Sequence, residues 1–231
     1  MPKEIADPIT SFGEEAVENT AARALAAWQT EDVFELLIKL ASSRNLAGVI
    51  ETLGLFRRKE AIPVFIAALK DDICGGVAEQ ALHLLGEIAK SALIAILSEA
   101  SEEEFNSPSE LLRKKRAIRI LMNLPLNSDE WKALRKLLHD EDLELTVLAS
   151  MLALDVGGND DKAAALDNLI EAIPRARWDV QIEVEQCLMK HFDFARDRVE
   201  EEIIRRSKSA GIPGAEDSVL QLLLNIQKRK I

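Results

Sequence analysis

Residues 61–88 place the strongest constraint on how this chain can fold. Pro63 suits the first turn of a helix, where its missing N–H would be unpaired in any case. An acidic stretch and the pair Gly75-Gly76 then interrupt the pattern. Apolar residues recur at helical spacing on both sides of this interruption: Ile62, Phe65, Ile66 and Leu69 before it, and Val77, Ala81, Leu82, Leu85 and Ile88 after it. The pattern predicts two helices that fold back on each other as a hairpin.

The hairpin pattern recurs along the chain. Residues 31–56 match it at an offset of 32, which places Gly54 on Gly86, and residues 109–124 match its second helix at an offset of 36. A glycine late in a helix costs about 1 kcal/mol relative to alanine, so we expect close approach of helices at both glycines. Residues 128–192 continue the series. The sequence thus predicts an all-α fold, an α–α superhelix of about five helical hairpins.

The repeat predicts a single domain over residues 1–231. We expect a loose N-terminal arm at 1–13, a capping helix at 14–30, repeats over 31–192, and capping helices at 193–231. The apolar residues of the capping helix share one face: Val17, Ala21, Leu25 and Trp28. Trp131 and Trp178 are expected to pack between neighbouring helices, and Cys74 is expected in the core.

The amino-acid pattern of the central hairpin resembles that of a known family. The matching residues are Pro63, Leu69, Asp71-Asp72, Val77, Ala81 and Leu85-Gly86. On these positions the hairpin resembles the short HEAT repeat, which is also found in bilin lyases; the likeness weakens beyond Asp160. The chain departs from the family at Ala78, where an arginine is frequent. The resemblance implies a HEAT- or armadillo-like solenoid whose second helices line a concave face, and a role in binding other proteins. It implies no chemistry.

The composition narrows the classes of partner. The chain has 231 residues, a formal net charge of -11 and only 4% aromatic residues. This acidic balance and the scarcity of stacking side chains disfavour nucleic acid and anionic membranes as partners. The two cysteines lack metal-type spacing and are expected to be reduced, and the N-terminus lacks the features of a signal peptide. We therefore expect a cytoplasmic protein.

The repeat offsets predict a partner-binding track. If the second helices line the concave face, equivalent positions should form polar rows, and the exposed apolar residues Leu84 and Leu148 should add anchors. The polar track consists of His83, Glu87, Arg119, Asn123, Asp155 and His191. Mixed donors and acceptors in a groove would suit a peptide or a helix of another protein. An ordinary solvated helix face is the alternative for each single residue.

No motif in the sequence indicates catalysis, a metal or a cofactor. The three histidines form neither the His-Glu pairs of HEAT-type iron hydroxylases nor an HxxxH motif. The basic run at 113–119 could meet an acidic partner or pair with nearby acids, and the acidic stretch at 98–104 is typical of a solvated connector.

We therefore expect a non-enzymatic interaction module or scaffold for another protein or peptide, with an unknown oligomeric state. The alternative is a bilin lyase-like subunit that binds a tetrapyrrole and a client protein. A purely structural helical repeat is a third possibility.

Overall fold

A computed structural model describes residues 3–99, 107–209 and 217–230 of the chain. Most of the acidic stretch at 98–104 therefore lies outside the described residues. Within them, every regular element is a helix, which confirms the all-α prediction, and no helix is long and apolar enough to cross a membrane. The helices group into two compact units, residues 1–125 and 126–231. The single-domain assignment stays a prediction.

The described residues of the first unit form seven α-helices: α1 (Lys3–Ala24), α2 (Glu31–Ser43), α3 (Ala47–Phe56), α4 (Ile62–Ala68), α5 (Gly75–Leu85), α6 (Glu87–Ser98) and α7 (Pro108–Leu121). The two helices of each hairpin contact each other, in the pairs α2–α3, α4–α5 and α6–α7. Along the series α3 contacts α1 and α5, and α5 contacts α7, while α4 contacts α2 and α6. The helices of this unit thus form two rows.

The sequence prediction about the two glycines is half right. A Cβ at Gly54 would lie 2.9 Å from the Cβ of Ala81, so α3 and α5 do approach closely there. Gly86 has another role, because it ends α5 with φ +58° and ψ −129°, a conformation that side chains with a Cβ rarely adopt. The prediction of a helical Gly86 is wrong. The next helix starts at once with Glu87.

The turn between α4 and α5 is stabilised from a distant helix. Nη1 of Arg116, on α7, donates to the backbone carbonyls of Leu69 and Asp71 at 2.6 and 2.7 Å. The Asp71 carboxylate accepts from the backbone N–H groups of Ile73 and Cys74. One arginine and one aspartate thereby satisfy groups that a helix end leaves unpaired. Cys74 is buried, as predicted.

The N-terminal prediction needs correction. Residues 3–13, expected to form a loose arm, belong to α1, because one proline removes a single backbone hydrogen bond without necessarily ending a helix. Val17 and Trp28 are exposed. The face that packs on α3 instead carries Asn19, whose Oδ1 accepts from the N–H of Gly48, and Ala22, whose carbonyl accepts from Thr52. Polar and small residues line this contact, so α1 packs on α3 through a face other than the one that carries Val17.

In the second unit, the part of the chain that the structure describes forms six α-helices and a 3₁₀ segment, Arg135–His139. The helices are α8 (Ser128–Leu134), α9 (Leu143–Val156), α10 (Asn159–Ala172), α11 (Trp178–Lys190), α12 (Phe192–Ser209) and α13 (Ser218–Lys230). Helix α9 contacts α8, the 3₁₀ segment, α10 and α11. It is apolar nearly all round, as expected for a helix with neighbours on every side. Leu148 is therefore fully buried, and its predicted role as an exposed anchor is wrong.

The two tryptophans assigned to the second unit differ in environment. Trp131 is buried, as predicted, and its indole Nε1 donates to Oδ2 of Asp161 at 2.8 Å. Arg135 contacts the other carboxylate oxygen, Oδ1, at 2.5 Å. Trp178, in contrast, is exposed at the start of α11, so its predicted packing between helices is wrong. Its position in the first turn leaves it outside the face that carries Val180, which is buried.

Candidate functional site

In the first unit, the predicted track residues lie on neighbouring elements. His83 is on α5 and Arg119 on α7, and these two helices contact each other. Nε2 of His83 lies 3.9 Å from Oε1 of Glu79, one helical turn earlier. The exposed His83 and the half-buried Glu79 share one face of α5, at the spacing where side chains on a helix meet. The face is therefore polar and rests on two packed helices.

Glu87 and Asn123 lie at the ends of helices rather than along them. Glu87 is the first residue of α6, where its negative charge is favourable to the helix dipole. Asn123 follows α7, and its side-chain Nδ2 donates to the carbonyl of Arg119 at 3.0 Å. Both residues are exposed. A peptide approaching this part of the unit would meet the carboxylate and the amide oxygen as hydrogen-bond acceptors.

Exposed apolar side chains interrupt these polar residues. Leu84 is 46% exposed and Ile88 is 55% exposed, and they stand next to His83 and Glu87 in the chain. Gly86 separates α5 from α6 by a single residue, so all four residues lie within two helical turns of one helix junction. Exposed apolar residues beside polar ones are the composition of a protein-binding patch. We call His83, Leu84, Glu87 and Ile88 the junction patch.

In the second unit, the structure brings the two predicted track residues together. Oδ1 of Asp155, at the end of α9, lies 3.1 Å from Nε2 of His191, which follows α11. Nζ of Lys190 donates to the same oxygen at 2.6 Å. Burial lowers the pKa of His191; Asp155 acts in the opposite direction, and Lys190 and Lys162 lower the pKa further. The imidazole is therefore neutral at neutral pH, and Lys190 is the cationic partner of Asp155.

A neighbouring thiol lacks the activation that a nucleophile needs. Cys187 lies one helical turn before His191, an arrangement that formally resembles a Cys-His-Asp set. Burial and the charge of Asp155 raise the pKa of this thiol to about 12, against a smaller opposite effect of Lys190. A nucleophilic cysteine requires a lowered pKa, because the thiolate is the reactive form. The environment of Cys187 thus suits a packed thiol.

Side chains of the basic run at 113–119 pair with an acid, are buried or bind backbone carbonyls within the first unit. Arg113 pairs with Glu110 at 2.6 Å, Lys114 is buried, and Arg116 closes the turn before α5. These roles were missed in the sequence, because a run of cations on a helix normally indicates a solvated face. The signal that could have found Arg116 is Gly75, whose missing side chain makes room for the guanidinium.

The described residues contain no group of three histidine, cysteine, aspartate or glutamate side chains that could hold a metal ion. Comparisons of the chain with protein-family models, with curated proteins and with solved structures found no match.

Proposed function

We propose that the chain is a non-enzymatic protein-interaction module, a short HEAT-like solenoid that binds another protein or a peptide. Stacked hairpins would produce the two rows of helices in the first unit, α1, α3, α5 and α7 in one and α2, α4 and α6 in the other. The proposal includes a cytoplasmic location, which the free thiols of Cys74 and Cys187 support.

The observation that carries this proposal is the junction patch. Leu84 and Ile88 expose about half of their surface although the helices on either side bury other apolar residues well. The fold gains little from apolar side chains at these two positions, whereas a partner that covers them gains about 25 cal/mol for each Å² of apolar surface removed from water. His83 and Glu87 would then orient the partner through hydrogen bonds.

The net charge of -11 indicates the chemistry of the partner. An acidic protein attracts basic segments and repels acidic ones at distances within the Debye length, about 10 Å at moderate salt. Glu87 adds a local acidic contact. We therefore expect the partner to offer an apolar segment flanked by lysine or arginine, with an association rate that falls as salt is added.

The test uses the full chain as bait in a lysate of its native source. The variant Leu84→Ser with Ile88→Ser removes the apolar pair. Ile73→Ser is the matched control, because Ile73 is also in the first unit and is 75% exposed, but it lies in the turn before α5. We expect one dominant protein with the wild type and the control, and its loss with the double variant.

Circular dichroism must show that all three baits are equally helical. Equal recovery by the double variant and the wild type would exclude the junction patch as the binding surface. A bait that recovers no protein above background under any salt condition would contradict the proposed function itself.

A further inference from the structure

The second unit contains a cluster of arginines that the proposed function does not use. Arg198, Glu202, Arg205 and Arg206 share one face of α12, because they are spaced at three or four residues. Together with Ile170, Glu171, Pro174 and Arg175 they line a cavity of about 440 Å³. We call this the arginine cavity. None of its residues belongs to the polar track or to the junction patch.

A buried carboxylate holds the arginines in place. Glu202 is fully buried, and its Oε1 accepts hydrogen bonds from Arg205 at 2.6 Å and from Arg206 at 2.7 Å, while Oε2 accepts from Nε of Arg205 at 2.8 Å. Burial acts to raise the pKa of Glu202, but the hydrogen bonds and charges of the two arginines outweigh it, so the pKa lies below its ordinary value. The carboxylate is therefore ionised, and the two guanidinium groups are fixed.

Acids outside the cavity wall fix two of the arginines further. Nε of Arg198 donates to Asp167 at 2.6 Å, and Nη1 of Arg206 donates to Asp217 at 3.0 Å. A guanidinium has five N–H donors, so one that is held through some of them keeps others available. An arginine that is already fixed loses little conformational entropy when it binds an anion.

Arg175 completes the wall from the turn after α10. Among the described residues it forms no ion pair, and it is exposed. Four guanidinium groups and the two carboxylates of Glu171 and Glu202 line the cavity. Asp167 and Asp217 balance the charges of Arg198 and Arg206 from outside the wall, so the cavity offers a high density of N–H donors rather than a net positive charge.

We propose that the arginine cavity binds a phosphate group as its dianion. Guanidinium forks match the geometry of phosphate and carboxylate oxygens alike, but a phosphate monoester offers three strong acceptor oxygens where a carboxylate offers two, so it can accept from more of the arginine N–H groups at once. A phosphate monoester carries about 1.5 to 2 negative charges at neutral pH. The group can belong to free phosphate or to a phosphorylated side chain of a partner. The site would exist whether or not the junction patch binds a protein.

Isothermal titration of the full chain at low salt and neutral pH tests this proposal, with inorganic phosphate, O-phosphoserine and acetate as probes. Arg175→Ala removes a wall arginine without breaking an observed ion pair. Arg177→Ala is the matched control, because Arg177 is two residues away, pairs with Asp179 at 3.3 Å and does not line the cavity. Glu171→Gln removes a wall acid that repels an anion.

We expect saturable binding of phosphate and weaker binding of acetate. Arg175→Ala should weaken phosphate binding by about tenfold, Glu171→Gln should strengthen it, and Arg177→Ala should leave it unchanged. Tighter binding of O-phosphoserine than of phosphate would assign the site to a phosphorylated partner, and the reverse order to free phosphate. A wild-type chain that shows no saturable binding at millimolar phosphate overturns the proposal. So does an Arg175→Ala variant that binds as well as Arg177→Ala.

Discussion

Gly75 and Gly76 are adjacent residues at the start of α5, and they have opposite surroundings. A Cβ at Gly75 would lie 1.5 Å from Nη1 of Arg116, whereas nothing lies within 4 Å of a Cβ at Gly76. The guanidinium of Arg116 thus occupies the volume of the side chain that Gly75 lacks. From there it reaches the two carbonyls before α5.

Gly75→Ala should therefore destabilise the protein, while Gly76→Ala should not. The first substitution expels Arg116 and leaves two carbonyls without their charged donor, so we expect a loss of roughly 2–4 kcal/mol in the free energy of unfolding. The second removes a flexible glycine from a helix and should add up to about 1 kcal/mol. Chemical denaturation of both variants measures the difference. Equal stabilities would contradict the proposed role of Arg116.

His191 predicts how stability depends on pH. Its pKa in the folded chain is lowered, mainly by burial, relative to about 6.5 in an unfolded chain. As the pH falls below about 6.5, the unfolded chain binds a proton that the folded chain does not, so the free energy of unfolding decreases until the pH reaches the folded pKa. The contribution of neutral His191 to the free energy of unfolding is therefore fully present above about pH 6.5.

Two measurements test whether His191 makes the free energy of unfolding decrease as the pH falls. An NMR titration should give His191 a midpoint below that of a histidine in an unstructured peptide. Denaturation at pH 7.5 and at pH 5.5 should show a smaller decrease for His191→Gln than for the wild type. His139→Gln serves as the control, because His139 is exposed at the end of the 3₁₀ segment. An unchanged pH slope in His191→Gln would show that the carboxylates alone set the acid response.

At the scale of elements, the contact between α3 and α5 depends on the size of two residues. Gly54→Ala would bring two methyl groups within 2.9 Å, which should force the helices apart at a cost of about 1–3 kcal/mol. Adding Ala81→Gly restores the space. We expect the double variant to be more stable than the sum of the two single effects, because the clash disappears while the helix-propensity cost of about 1 kcal/mol remains.

Denaturation of the four chains in this double-mutant cycle measures the coupling between positions 54 and 81. Strictly additive effects would mean that α3 and α5 do not share this contact in solution.

Sequence periodicity predicted the existence of most helices but not always the face that they bury. The repeat offset correctly aligned the close approach at Gly54, yet the same offset placed Gly86 inside a helix, although Gly86 ends one. Periodicity records which residues are apolar, and it cannot detect a contact made by Asn19 and Ala22. The predictions that Trp178 is packed and that Leu148 is exposed are wrong for the same reason, since the exposure of a residue depends on how many neighbours its element has.

The candidate site was predictable only where two equivalent helices pack directly. The offset placed Asp155 and His191 at the same position of successive repeats, and these side chains lie 3.1 Å apart. The arginine cavity could not be predicted from periodicity. It requires Arg175 from a turn together with α12, and no repeat relates these two segments.

At the scale of the whole molecule, the net charge of -11 works against compactness. Most ion pairs among the described residues are at the surface, as the half-exposed Arg23 and Glu51 illustrate, and such pairs contribute little. Raising sodium chloride from about 20 mM to about 300 mM shortens the range of the repulsion from tens of ångströms to a few. We expect a gain on the order of 1 kcal/mol, which corresponds to a rise of about 2–4 °C in Tm.

Thermal unfolding followed by circular dichroism measures this rise. A Tm that falls with added salt would mean that the ion pairs outweigh the repulsion.

Two pairs of consecutive helices are joined by a single residue, so we expect that neither connection can gain or lose a residue. Only Gly86 separates α5 from α6, and only His191 separates α11 from α12. One residue inserted at either place would displace the start of the following helix and disturb the packing of its buried side chains, Leu93 in α6 or Glu202 in α12. Related sequences should therefore gain or lose residues elsewhere, and alignments that open a gap at position 86 or 191 should be regarded as errors of registration.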